Sequence, residues 1–181
     1  MKADRIAIWA IVAFCLTGIS FHPIAAEDKR LVTAETDHLA PLERFIGHWA
    51  VDGKWSDGNE LHARTVYEWG VGKKIITAKT FVKDKDKEYQ RYEGVLAWHP
   101  KKKSLYEISF SCEGAISEVI VENKDKDTLL IGYTPFENDQ PSNVRQSLHF
   151  KDKDTFTWTV LLKDGDEWKK LIEADWKRQA K

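Results

Sequence analysis

From Gly47 onward, apolar and polar residues alternate with a period of two, broken only by short polar or glycine-containing links. Between residues 59 and 70, Leu61, Ala63, Thr65, Tyr67 and Trp69 alternate with His62, Arg64, Val66 and Glu68, the signature of a strand with one buried and one wet face. The same reading predicts strands near 47–55, 59–69, 74–83, 88–98, 104–112, 115–123, 128–134, 143–151, 154–163 and 166–177. The links Asp57-Gly58, Gly70-Val71-Gly72, His99-Pro100, Glu113-Gly114 and Asp164-Gly165 supply the positive or fixed φ that tight hairpins need. Short links pair each strand antiparallel with its sequence neighbour, and no helical period separates the strands, which excludes a βαβ architecture.

Ahead of the strands, Asp37 can cap a helix of one to two turns in which Leu39, Leu42, Phe45 and Ile46 share a stripe and Pro41 falls in the first turn. The predicted fold is all-β: a closed antiparallel up-and-down barrel of about ten strands behind a short N-terminal helix. Closure removes the two exposed edges of a meander and sets the strand 47–55 beside residues 168–177. A two-sheet sandwich is the alternative, but it needs longer crossovers than these links supply. Three turns repeat one another, Lys83–Lys87, Lys124–Asp127 and Lys151–Asp154, and their alternating charges read as solvated hairpin tips.

The first 26 residues read differently. Lys2 and Arg5 precede the apolar run Ile6–Ile19, and Pro23-Ile24-Ala25-Ala26 places small residues before Glu27, the three-part pattern of an export signal. A run of about 14 residues spans roughly 21 Å as a helix, short of the roughly 30 Å hydrocarbon core, so no stable membrane insertion is expected after cleavage. The expected organisation is a signal peptide over 1–26, a polar lead-in over 27–37 and the barrel over 38–178. Cys15 leaves with the signal, and Cys112 alone cannot form an intrachain disulfide. Without an Asn-x-Ser/Thr sequon, the simplest location is the periplasm or exterior of a bacterium. A formal charge of −1, from 28 basic and 29 acidic residues, argues against nucleic acid or an anionic membrane as partner.

The segment Leu42-Glu43-Arg44-Phe45-Ile46-Gly47-His48-Trp49 runs a short helix straight into Gly-x-Trp on the first strand. It resembles the opening of lipocalin-like (calycin) barrels, and most closely that of a family of uncharacterised bacterial calycin-like proteins. The resemblance covers residues 38–178 and implies a small-molecule-binding barrel. It also implies that Gly47 and Trp49 close one barrel end, with Trp49 under a basic side chain from the last strand, Arg178 or Lys177.

Of the eight tryptophans, eight phenylalanines and five tyrosines, only Trp9, Phe14 and Phe21 fall in the signal. A ten-stranded barrel encloses more than the eight-stranded barrels that hold one small ligand. Leu61, Thr65, Tyr67, Trp69, Tyr92, Tyr106, Phe110 and Trp158 are therefore candidates to line a cavity for an apolar or aromatic molecule, or to plug the interior instead. No histidine pair has the i, i+2 spacing of a strand-borne metal site, and no metal is expected. No cofactor is expected either; for a haem, the best axial candidate is His149, whose alternation points it away from the face of Val144, Leu148 and Phe150. No Gly-x-Ser-x-Gly nucleophile motif occurs, so no catalytic residue is assigned. Cys112 ends the alternation of Tyr106, Ile108 and Phe110 and reads as a buried small residue. The function expected is an exported carrier or sensor barrel. The alternatives are an envelope enzyme, marked by a titratable group of perturbed pKa inside the cavity, a haem barrel, or a plugged interaction module. Ligand identity and oligomeric state are left open by the residues.

Overall fold

The computed structural model describes residues 37–134 and 142–180, so the predicted signal and most of the lead-in lie outside the described residues. Ten strands follow one another: β1 (Gly47–Lys54), β2 (Glu60–Trp69), β3 (Ile75–Asp84), β4 (Lys87–His99), β5 (Ser104–Ser111), β6 (Ile116–Asn123), β7 (Thr128–Ile131), β8 (Val144–Phe150), β9 (Thr155–Asp164) and β10 (Glu167–Gln179). Each pairs antiparallel with its chain neighbours, and β1 pairs with β10 to close a barrel. The sandwich alternative is thereby excluded.

The closing seam is short, with His48 opposite Gln179, Trp49 opposite Arg178 and Ala50 opposite Lys177. β7 ends three residues before the predicted 134, because Gly132 turns the chain at φ +75° and a Cβ there would lie 2.7 Å from the Val144 carbonyl oxygen.

The helix ahead of β1 has the predicted length of one to two turns but is wound more tightly than an α-helix. Ala40–Phe45 is a 3₁₀ helix, held by i→i+3 bonds from Leu42 N–H to the Leu39 carbonyl and from Ile46 N–H to the Glu43 carbonyl. Asp37 Oδ1 accepts from Leu39 N–H at 3.0 Å, just before the helix. Leu42 and Phe45 drive into one end of the barrel, where Phe45 meets Phe150 edge-on at 4.7 Å and Trp49 packs on Phe156 at 4.8 Å. This aromatic floor is buried and closes that end.

The Lys-Asp turns are exposed hairpin tips, and two of them also hold arginines. The turns after β6 and β8 both lie at the closed end: Arg44 donates to the Lys126 carbonyl at 2.9 Å and pairs with Asp127 at 3.4 Å, while Arg178 donates to the Lys153 carbonyl and pairs with Asp154 at 3.1 Å. They clamp the two arginines that roof the floor. The first turn, between β3 and β4, sits at the opposite, open end and is exposed.

Candidate ligand cavity

Above the aromatic floor the barrel encloses a cavity of about 820 Å³, running from Leu42 and Phe45 to Lys83 and Asp84 at the far end of β3. The interior is not plugged. Period-two alternation on β2 brings Leu61, Thr65 and Tyr67 to its wall, and Trp158 on β9 and Tyr92 on β4 join them. Thr65 and Thr80 share a hydrogen bond between hydroxyls at 2.8 Å, and Trp158 Nε1 donates to Gln146 Oε1 at 2.8 Å, so these polar groups are already partnered. Tyr92 stands at the rim.

Three of the sequence candidates do not line the cavity. Trp69 follows Tyr67 on the inward face but lies at the closed end beside Ile46, packed against the core below the floor. Tyr106 and Phe110 point outward: Tyr106 meets His99 edge-on at 5.9 Å, and Phe110 is 44% exposed. The reason is register. Directly opposed residues of an antiparallel pair share a face, and β4 places Leu96, an inward residue, opposite Glu107, and Ala97 opposite Tyr106. The inward set of β5 is therefore Leu105, Glu107 and Ser109, one position out of step with the apolar alternation. Cys112 carries the same correction, being exposed at the β5–β6 turn rather than buried. His149 faces outward and bonds Thr128 Oγ1 at 3.0 Å, away from any group held inside.

At the rim, a β-bulge interrupts the β3–β4 ladder: Thr80 pairs with Tyr92 and Phe81 with Gln90, leaving Arg91 as the extra residue. The bulge lets consecutive residues Arg91 and Tyr92 both reach the cavity mouth. Arg91 is held there by Glu113 at 2.7 Å and lies within 3.5 Å of the Tyr89 and Tyr92 hydroxyls.

The register also brings inside a residue that sequence reasoning missed. Glu107 projects into the deep part of the cavity, between Leu96 on β4 and Val119 on β6, and its remaining accessible surface faces the cavity. Burial pushes its carboxyl up to about 7. The Tyr67 hydroxyl is raised too, first by burial and then by the nearby charge of Glu107. Among the described residues no donor hydrogen-bonds the Glu107 carboxyl. The only signal for it in the sequence is a lone acid inside a strand otherwise read as apolar.

No family model matches the chain, and no curated protein does either. Among solved structures it is similar to the S-type phycobiliprotein lyase CPES from Guillardia theta, at 13% identity over 77% of this chain and 90% of that one, with a TM-score of 0.48. It is also similar to a redesigned β-barrel, at 12% identity over 76% and 93% with a TM-score of 0.41. A de novo designed fluorescence-activating β-barrel stands at 13% identity over 75% and 94%, with a TM-score of 0.37.

Proposed function

We propose that the protein is an exported carrier or sensor that holds a small apolar or aromatic molecule inside its barrel, and that it belongs with the bacterial calycin-like barrels its Leu42–Trp49 opening resembles. The observation that carries this reading is the cavity. At about 820 Å³ it falls in the range of about 300–1,000 Å³ typical of small-molecule sites, with one end closed by Phe45, Trp49 and Phe156 and the other open to a polar rim. Its walls are largely apolar, and a few polar groups could orient a guest.

Saturable binding of the neutral dye N-phenyl-1-naphthylamine, one molecule per chain, tests it. The double variant Ala63→Trp, Ala78→Trp, which narrows the cavity from β2 and β3, is expected to abolish binding and to keep the barrel's circular dichroism. A wild-type protein that leaves the dye unbound overturns the reading. A second reading, an enzyme of the cell envelope, is favoured by one observation: Glu107 sets a carboxyl in the cavity wall between Leu96 and Val119, where burial pushes it up to about 7, as suits a general acid or base. Under that reading a bound ligand is turned over, and Glu107→Gln stops turnover while leaving binding in place.

A further inference from the structure

The charges that reach the cavity are not spread evenly. Glu60, His62, Lys83, Asp84 and Arg91 all stand at the open ends of their strands, and the rim guanidinium of Arg91 is occupied by Glu113. The two guanidiniums at the closed end, Arg44 and Arg178, are turned onto Asp127 and Asp154. Glu107 is the one charged side chain deep in the cavity among the described residues. Its strand neighbours are apolar, Leu96 on β4 and Val119 on β6, and the titratable group that faces it is Tyr67 on β2. Space is kept beside the carboxyl: Gly94 on β4 has no side chain, and a Cβ there would lie 3.6 Å from Glu107 Oε1.

Glu107 is half-buried and no described residue donates to its carboxyl, so an apolar guest that strips its water without replacing it leaves the charge at a cost. The chemistry that relieves the cost is a cation or a strong donor arriving from outside, since among the described residues no cation pairs with it. Building on the small-molecule reading above, we propose that the guest of the cavity is an apolar amine, with its hydrocarbon or aromatic body against the walls and its protonated nitrogen against Glu107. An anionic guest meets a like charge at this depth, and a neutral alcohol leaves the carboxylate without a counter-charge. Proton bookkeeping closes simply. The ammonium ion binds the carboxylate, and where Glu107 holds a proton beforehand, that proton leaves to solvent as the ion pair forms.

Isothermal titration of the full chain with 2-naphthylmethylamine, 2-naphthylmethanol and 2-naphthoate tests the proposal, because the three share one aromatic body and differ in charge. At pH 8 the amine is expected to bind at least tenfold tighter than the alcohol, and the carboxylate weakest. Between pH 8 and pH 6 the amine should lose about tenfold in affinity, as protons compete for a carboxyl that titrates at about 7, while the alcohol changes little. In Glu107→Gln the amine's advantage and its pH dependence should both vanish. Equal binding of amine and alcohol by the wild type overturns the amine proposal and leaves the small-molecule reading standing. Tighter binding of the alcohol at pH 6 than at pH 8 overturns it as well, by making Glu107 a hydrogen-bond donor. If none of the three binds, the small-molecule reading fails and this proposal with it. The amine–alcohol comparison uses only wild-type protein, so it stands whether or not the variant folds.

Discussion

The guanidinium carbon of Arg178 lies 4.3 Å from the centroid of the fully buried Trp49 ring, while its two terminal nitrogens donate to the carbonyls of Ile46 and Arg44 at 2.7 and 2.6 Å. One side chain from the last strand thus covers the first strand's tryptophan and satisfies two carbonyls at the helix end. Trp49 Nε1 completes the arrangement by donating to the Phe45 carbonyl at 2.6 Å. Gly47 makes room for it, with φ at +127° and a position where a Cβ would lie 2.8 Å from Arg178 Nη1.

Trp49→Ala should therefore lose about 3–5 kcal/mol of stability, the usual range for emptying a fully buried aromatic site. Arg178→Lys keeps a charge but cannot reach both carbonyls over the ring, and should lose about 1–3 kcal/mol. Urea unfolding monitored by tryptophan fluorescence measures both, and unchanged midpoints would remove the closed-end latch from the account.

Glu107 makes stability depend on pH in a definite direction. Its folded value of about 7 stands above its ordinary value of 4.5, so the folded state holds the proton more tightly than the unfolded one. Its contribution is fully present below about pH 4.5 and is lost as pH rises through 7, up to about 3 kcal/mol in all. Glu107→Gln should accordingly be more stable than wild type at pH 8. The gap between them should narrow towards pH 5, which thermal melts across that range will show.

Cys112 should react with Ellman's reagent in the native protein without denaturant, since it is exposed at the β5–β6 turn. A thiol that reacts only after unfolding would return it to the interior.

The Lys-Asp turns give a further test. Asp127→Ala and Asp154→Ala each remove one ion pair from a half-exposed arginine at the closed end, worth about 0.2–1 kcal/mol apiece. Asp86→Ala, in the open-end turn, should leave the unfolding midpoint where it is.

The number and order of strands could be read from one sequence because glycines at 58, 72, 114 and 165 mark turns chemically, and φ is positive at all four. The inward face of β2 could be read as well, since Leu61, Thr65 and Tyr67 are opposed by His62, Arg64 and Glu68. β5 could not. Its outer face carries Tyr106, Ile108 and Phe110, more apolar than the inner Glu107 and Ser109, and only the pairing with Leu96 decides which set turns inward. Register between strands is a property of two segments together, so local alternation cannot supply it. The bulge at Arg91 was hidden for the same reason, and with it the side chains that shape the mouth.

The seam between β1 and β10 joins residues almost as far apart along the chain as the barrel allows, His48 with Gln179, through three ladder positions. No local segment can form that contact early. Until residues 167–179 are in place, the sheet has two unpaired edges. Every other pairing joins consecutive strands, so this one seam carries the most distant contact, and a chain held open with unpaired edges is the species prone to aggregate. Losing the last few residues, Arg178 among them, would take away the seam partners of His48 and Trp49 and leave both edges of the sheet unpaired.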